Sequence, residues 1–251
     1  MTMTLKILLV LFSAALLSGC AANGQFDAGK ALAIGAGALQ ASMLDEESVK
    51  QAASLSAKEL DAQSQVAPAN SSYSIRLAKI TGKLNTYDGL NLNYKVYLSK
   101  DVNAFAMADG TVRVHSALLD VMPDDQVLAV IGHEIGHVKL KHSYLQMREI
   151  MLTNVAFEAA ASVGGTIGAL SSSQLGILAR TAVAARFSQS DELESDAYAV
   201  RALKEMGEDP YAMKRSIETL QKGGGAGGGF LSSHPSNQNR IDNILKEISR
   251  L

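Results

Sequence analysis

The segment Ile131–Val138 reads Ile-Gly-His-Glu-Ile-Gly-His-Val and contains the residue types that a hydrolytic metal centre needs. On a helix, residues four positions apart share one face, so His133 and His137 can hold one metal ion between them. Glu134 lies beside the first histidine, where it could accept a proton from a bound water. Zinc would lower the pKa of that water toward ~7 and so create a nucleophile at neutral pH. The alternative is a chance match in a structural helix.

A catalytic zinc takes three protein ligands and leaves one position open, so a further ligand must lie outside this helix. Glu192 and Asp196 are four residues apart and would share one face of a second helix. We expect Glu192 to bind the metal and Asp196 to accept a hydrogen bond from a ligand imidazole, which fixes its tautomer. The alternative is a solvated acidic helix start. Together the two motifs predict one Zn²⁺ per chain.

Three histidines lie outside the motif, and none has an obvious ligand spacing. His142 comes five residues after His137, off the ligand face of a continuous helix, and is predicted to be a surface residue. His115 ends a predicted strand, and the pattern does not assign it a role. His234 precedes Pro235, and by itself this pair is typical of a helix entry.

Three predicted strands precede the helix that carries the His-Glu-x-x-His motif. Residues 93–98 are rich in β-branched and aromatic side chains, as strands are. Residues 103–107 and 111–115 flank Asp109-Gly110, a strong hairpin signal. Pro123 followed by two acidic residues indicates the start of a helix. We therefore predict an α+β fold, mostly helical, with a small antiparallel sheet beside the active-site helix.

Helical patterns account for most of the remaining chain. They are expected near residues 31–44, 49–62, 73–84, 190–206, 211–221 and 236–250. Gly207 and Pro210 mark the end of the helix predicted at 190–206. The run Gly223–Gly229, interrupted by a single alanine, can hold no fixed structure by itself.

Residues 151–185 are nearly uncharged, with glycine and serine interruptions in the middle. A membrane hairpin is one reading of this segment. Neither apolar half clearly reaches the ~18 residues that a membrane-spanning helix needs. The interrupted pattern therefore favours two buried or cleft-covering helices.

The first twenty residues have the features of an export signal. Lys6 precedes the uncharged run Ile7–Leu17, which is too short for a transmembrane helix of about 20 residues but suits a signal peptide. The sequence Leu17-Ser18-Gly19-Cys20 follows and resembles the bacterial lipobox, which implies cleavage before Cys20 and its acylation. Ala21 in place of an aspartate implies the outer membrane, facing the periplasm. The alternative is an ordinary secretory signal that contains a cysteine.

Composition limits the other function classes. The chain has 251 residues, 47% of them hydrophobic, and a formal net charge of −2, so nucleic acid is not an expected partner. Its single cysteine excludes an intrachain disulfide and a multi-cysteine metal site. We predict a signal peptide at 1–19, a lipidated tether with a helical segment at 20–66, and a metallopeptidase domain at 67–251.

The combined motifs resemble a known family. The pattern His-Glu-x-x-His at 133–137, Glu-x-x-x-Asp at 192–196, and His234-Pro235 followed by Arg240-Ile241 is similar to that of the HtpX-type gluzincin peptidases, which include the CaaX prenyl proteases. The similarity extends from about Ala67 to the C-terminus. It departs from the family pattern at Gln189, where arginine is usual, and at Ser195, where alanine is usual; neither position is expected to touch the chemistry.

The resemblance implies a role for each motif residue. His133, His137 and Glu192 would be the zinc ligands, Glu134 the general base, and Asp196 the partner of a ligand histidine. The edge strand that binds extended substrate would comprise Asn103, Ala104, Phe105 and Ala106. His234 would lie near the metal, either as a lid ligand or as a donor to the oxyanion of the transition state. A mobile loop is a poor place for a preorganised donor, which favours the lid.

The expected activity is that of a zinc-dependent endopeptidase of the bacterial envelope. Its expected substrates are misfolded or misassembled envelope proteins, with an envelope protease or the assembly machinery as a candidate partner. The alternative is a chaperone or assembly factor for outer-membrane proteins that keeps the fold but is gated or weakly proteolytic. A purely structural lipoprotein is a third possibility.

Overall fold

The computed structural model describes residues 44–153, 170–222 and 229–251. The predicted helix near 31–44, the lipobox with Cys20 and residues 154–169 of the uncharged segment 151–185 lie outside these residues. The helices are α1 (Glu46–Gln63), α2 (Ser72–Thr81), α3 (Ser116–Val121), α4 (Asp124–Lys139), α5 (His142–Thr153), α6 (Ser172–Ala184), α7 (Gln189–Glu205), α8 (Tyr211–Lys222), α9 (Phe230–Ser233) and α10 (Gln238–Ile248). The strands are β1 (Thr86–Tyr87), β2 (Leu90–Asn91), β3 (Asn93–Tyr97), β4 (Ala104–Ala106) and β5 (Thr111–His115).

The main sheet has three strands in the order β3-β5-β4. This confirms the prediction of a mostly helical α+β fold with a small sheet, with one correction. The sheet is mixed, because β4 and β5 pair antiparallel whereas β3 pairs parallel to β5. The chain leaves β3, reverses into β4 and returns in β5 between the two. This order places the buried β5 at the centre and leaves β4 at an edge.

The hairpin between β4 and β5 forms at the predicted turn. Gly110 has φ +87°, and a Cβ built there would lie 2.1 Å from the Asn91 carbonyl oxygen, so only glycine fits. The Asp109 carboxylate accepts a hydrogen bond from the Thr111 backbone at 3.1 Å. The turn therefore sets the register of the strand nearest the site.

Helix α4 runs through the core and positions the His-Glu-x-x-His motif. Its side chains are buried from Val127 to Val138, and it packs against α7, α8 and β4. A Cβ built on Gly136 would lie 3.1 Å from the Ser195 Cα atom, which shows how closely α4 and α7 approach. This approach brings the two predicted ligand motifs together.

Helix α1 belongs to the same compact unit as the rest of the described chain, which begins at Leu44. It packs against α6 and α5 around a second, smaller hydrophobic cluster that includes Val49, Ala53, Met151 and Leu178. The predicted helices at 49–62, 73–84, 190–206, 211–221 and 236–250 are confirmed, with ends shifted by a few residues. In the part of the chain that the structure describes, no helix is long and apolar enough to cross a membrane.

Candidate metal centre

The position of helix α7 depends on a capping box at its start. The Ser188 side chain accepts a hydrogen bond from the Asp191 backbone at 3.2 Å, and the Asp191 carboxylate accepts one from the Ser188 backbone at 3.1 Å. The capping box therefore fixes where the helix starts and which residues face the core. Glu192 and Asp196, both buried, face α4.

Four buried side chains converge between α4, α7 and the segment before α10. His133, His137, Glu192 and His234 each offer one potential ligand atom, and these atoms lie within 4.8 Å of one another. The Nε2 atoms of His133 and His137 are 3.0 Å apart, and Glu192 Oε1 lies 3.4 Å from His137 Nε2. The structure thus brings together the three residues predicted as ligands and adds His234 as a fourth.

The chemistry of this cluster fits a bound zinc ion. Two imidazole nitrogens that face each other at 3.0 Å repel if both carry lone pairs, and a shared cation removes that repulsion. The buried Oε1 of Glu134 accepts no hydrogen bond from the described residues, and neither does Oε2 of Glu192, although it faces the Arg240 guanidinium. Imidazole nitrogen and carboxylate oxygen are ligands that zinc takes in catalytic sites. The cluster could therefore hold one zinc ion.

Asp196 holds His133 in orientation, as predicted for a residue behind a ligand. His133 Nδ1 donates to Asp196 Oδ1 at 2.9 Å, which leaves Nε2 free to face the cluster. Arg240 donates to both Asp196 oxygens, at 2.8 and 2.7 Å. Burial raises the pKa of Asp196, but the Arg240 charge and the His133 hydrogen bond outweigh it and hold the pKa below its usual range.

Arg240 has no role predicted from the sequence, yet its side chain is fully buried at the site. Besides its bonds to Asp196, it forms an ion pair with Glu192 and donates to the His234 carbonyl at 3.3 Å. Its only sequence signal was the Arg-Ile pair in the family pattern. A basic residue on an amphipathic C-terminal helix is usually solvated, so the local pattern did not single it out.

Burial governs protonation at the centre. It raises the pKa of Glu134 and lowers that of His137 well below its usual value, so the imidazole is neutral and its lone pair available. Burial also raises the pKa of Glu192, but the neighbouring imidazoles of His137 and His234 outweigh it and keep the carboxylate ionised. His137 and Glu192 are therefore in the protonation states that a cation requires.

His234 lies inside the cluster. Its Nδ1 is 3.0 Å from Glu192 Oε1, and its Nε2 is 3.4 Å from Glu134 Oε1. The Phe230 ring stacks on the imidazole with centroids 4.2 Å apart, and the Phe230 backbone donates to the Val102 carbonyl at 2.8 Å. His234 is thus held between the ligand set and the predicted base.

The predicted substrate strand, Asn103–Ala106, includes β4 and borders the cluster. Because β4 is the edge of its sheet and packs against α4, its outer side faces the region of Glu134. The Ala106 carbonyl already accepts a hydrogen bond from Ser143 at 3.2 Å. A small cavity beside Glu134 has mainly apolar walls, formed by Phe105, Met107, Met147, Val183 and Phe187.

One prediction about a position near the cluster needs correction. His142 is not a surface residue: it is 6% exposed, and its Nδ1 lies 3.2 Å from His137 Nδ1. The prediction failed because α4 ends at Lys139, so the helical geometry that would place His142 off the ligand face does not apply. The Ser195 hydroxyl lies 3.3 Å from His142 Nδ1. Gln189, by contrast, is exposed at the start of α7.

His115 takes no part in the cluster. It ends β5, is half-buried, and its Nδ1 lies 3.2 Å from the Asp101 carbonyl. The ligand and catalytic roles given to the other residues stay predictions. The structure nevertheless places all the predicted ligands, the base and the partner of His133 at one buried point.

Comparison with known proteins gives the family. Residues 76–248 match the model of peptidase family M48. The chain is 42% identical over 250 residues to Metalloprotease LoiP of Escherichia coli K12 and 38% identical over 248 residues to Metalloprotease YcaL of the same organism, with 98% of each chain covered. It is also 33% identical over 128 residues to the Beta-barrel assembly-enhancing protease of Escherichia coli O157:H7, covering 48% of this chain and 26% of that protein. The chain belongs to peptidase family M48 and is a zinc metallopeptidase.

Proposed function

We propose that this metallopeptidase is an HtpX-type endopeptidase that degrades misfolded or misassembled proteins of the bacterial envelope. The observation that carries the proposal is the buried cluster of His133, His137 and Glu192 with Glu134 beside it, next to an edge strand. An edge strand recognises extended backbone, which folded proteins rarely present and misfolded ones do.

The chain's own residues can be given roles in peptide hydrolysis. When bound to His133, His137 and Glu192, zinc supplies a Lewis acid that polarises the peptide carbonyl and lowers the pKa of water at the site. Glu134 takes a proton from the attacking water and passes it to the leaving nitrogen. Its buried position, which raises its pKa, suits a group that must both accept and release a proton near neutral pH.

Substrate would bind by adding a strand at β4. The backbone of Ala104–Ala106 would pair with an extended substrate and present its scissile bond beside Glu134. His234 now lies between Glu134 and Glu192, so we propose that it must move aside before a substrate carbonyl can approach.

Digestion of an unfolded protein, such as reduced casein, tests the proteolytic function. The wild type should cleave it, whereas Glu134→Gln should retain zinc and lose at least about a hundredfold in rate, as expected when a general base is removed. The rival chaperone reading predicts slow cleavage by both proteins together with suppression of substrate aggregation. Equal cleavage rates for the two would contradict the role of Glu134.

We also propose that the chain is anchored to the outer membrane, facing the periplasm, through lipid on Cys20. The proposal rests on the lipobox-like sequence and on the name of one relative, which refers to β-barrel assembly. An assembly machine of the outer membrane is a candidate partner on the same ground.

Fractionation of cells tests the anchor. Cys20→Ser should lose lipid attachment and release the protein into the soluble envelope fraction, because a single lipidated cysteine is the proposed anchor. Cys20→Ser protein that remains fully membrane-bound after removal of the signal would contradict the proposal and return attention to residues 151–185.

A further inference from the structure

The turn between α4 and α5 has an unusual backbone that directs a histidine toward the metal centre. Lys141 has φ +66°, a conformation that side chains with a Cβ seldom adopt. Its side chain is held by an ion pair with Glu46 of α1 at 2.7 Å. The chain reverses at this residue, and the first side chain after it, that of His142, points back at His137.

His142 is surrounded by polar atoms on both sides of its ring. Its Nδ1 lies 3.2 Å from His137 Nδ1 and 3.3 Å from the Ser195 hydroxyl. Its Nε2 lies 3.5 Å from a Glu194 carboxylate oxygen and 3.7 Å from one of Asp191. A side chain that served only to fill space would not need partners of this kind on both ring nitrogens.

The distances allow one consistent placement of the protons. His137 directs Nε2 into the ligand cluster, so that nitrogen must carry a lone pair and the ring proton must be on Nδ1. This Nδ1–H donates to His142 Nδ1, which is therefore an acceptor. The proton of His142 is then on Nε2, facing the carboxylates of Glu194 and Asp191.

We propose that His142 is a positioning residue for zinc. It accepts the Nδ1–H of His137 and so holds that imidazole in the tautomer and orientation that present Nε2 to the metal. Asp196 does the same for His133, which means that both motif histidines have an acceptor behind them. The inference rests on the proposed assignment of His137 as a zinc ligand.

Zinc affinity, measured by competition with a chelator, tests this role. His142→Leu keeps apolar bulk but removes the acceptor, and should weaken zinc binding by about 10–100-fold, as loss of such partners does elsewhere. His142→Asn offers an amide oxygen near the position of Nδ1 and should recover most of that affinity. If His142→Leu does not fold, His142→Phe is a second variant: it keeps an aromatic ring but has no hydrogen-bond acceptor.

Thermal unfolding of the metal-free variants separates positioning from packing. A positioning role predicts similar melting temperatures without metal for the leucine and asparagine variants but different zinc affinities. Equal zinc affinities for the wild type, His142→Leu and His142→Asn would overturn the proposal, and so would an affinity loss of equal size in both variants.

Two further variants keep the result interpretable. His115→Leu removes a half-buried imidazole whose ring contacts are with Tyr97 and Phe105, and it should leave zinc affinity unchanged. His137→Ala should lose most of the zinc; if it does not, the ligand assignment behind the proposed function fails. If His137→Ala loses zinc while His142→Leu binds it like the wild type, only the role of His142 is refuted.

Discussion

At the scale of single residues, Arg240 connects three parts of the centre. Its guanidinium is fully buried, donates twice to Asp196, pairs with Glu192 and donates to the His234 carbonyl. A planar guanidinium can make several directed bonds at once, which a lysine ammonium cannot reproduce in the same geometry. Arg240 therefore compensates the charge of two buried carboxylates and also fixes their orientation.

Replacing Arg240 by methionine should destabilise the metal-free protein by about 3–5 kcal/mol, because it leaves buried carboxylates without their cation. Urea unfolding of metal-free protein measures this loss. Arg201→Met is a matched control: Arg201 forms an exposed pair with Glu247 at 3.5 Å and should cost at most about 1 kcal/mol. Equal free energies of unfolding for Arg240→Met and the wild type would refute the compensating role.

His234 gives a second prediction at this scale, in which two roles have opposite signs. Its Nδ1 lies 3.0 Å from Glu192 Oε1, within the ligand set, which favours the lid. His234→Ala should therefore raise the rate of cleavage of an unfolded substrate, because His234 no longer competes with water and substrate for the metal. It should also lower zinc affinity, because one ligand is lost. A fall in rate of about a hundredfold would instead identify an oxyanion donor. Unchanged rate and unchanged affinity would exclude both roles.

The chemistry-bearing residues differ in how far their sequence predicts them. His133 and His137 are predictable because helical periodicity alone puts them on one face, and the same holds for Glu192 and Asp196. Glu134 is predictable from its place inside the motif. His142 escaped prediction because a left-handed residue, Lys141, breaks that periodicity, and no local signal announces it. Arg240 reaches the site only through the packing of α10 on α7, which is a long-range contact.

At the scale of elements, α1 is joined to the sheet by a charged cluster. Asp61 of α1 accepts two hydrogen bonds from Arg113 of β5, at 2.8 and 2.9 Å, and further bonds from Lys95 and Tyr97, both at 2.7 Å. Burial raises the pKa of Asp61, but the hydrogen bonds of Arg113 and Lys95 outweigh it, and the pKa falls from 3.8 to about 2. The cluster holds α1 against the strand that pairs with β4.

Asp61→Asn should lower the free energy of unfolding at pH 7 by about 1–3 kcal/mol, because charged hydrogen bonds to a buried guanidinium are lost. Since the pKa is lower in the folded state, the stabilisation is complete above the ordinary value of 3.8 and disappears as the pH falls toward about 2. Urea unfolding of both proteins without metal, from pH 7 to pH 2, should show the difference shrinking between pH 4 and pH 2.

Asp120→Asn provides the control for this experiment. Asp120 is exposed and accepts a hydrogen bond from Tyr73 at 2.9 Å, so its loss should change stability little. A difference between the wild type and Asp61→Asn that stays constant down to pH 2 would show that the carboxylate charge of Asp61 is not what stabilises the contact.

The arrangement of elements was predictable only in part. Strands β3, β4 and β5 and the β4–β5 hairpin follow from local patterns, since alternation and an Asp-Gly turn act over a few residues. The parallel pairing of β3 with β5 does not follow from local patterns, because strand order depends on contacts between residues distant in the sequence. The ends of α10 were likewise shifted, from 236–250 to Gln238–Ile248, because the packing of a terminal turn depends on distant residues.

At the scale of the whole molecule, the metal centre joins segments that are distant in the chain. The candidate ligands come from positions 133 and 137 on α4, 192 on α7, and 234 before α10. These helices share the larger hydrophobic cluster, whereas α1, α5 and α6 surround the smaller one. Zinc bound at this point should therefore stabilise the larger core, and do so only in the folded protein.

Removing zinc should lower the melting temperature, since a ligand that binds only the folded state adds RT ln(1 + [L]/Kd) to its stability. At free zinc about 100 times Kd, this is roughly 2.7 kcal/mol, or about 5–10 °C for a chain of this size. Calorimetry with and without a chelator measures the shift. Glu134→Gln should show the same shift, because Glu134 is not a predicted ligand, whereas Glu192→Ala should show almost none. If the chelator lowers the melting temperature of Glu192→Ala by as much as that of the wild type, zinc binds elsewhere.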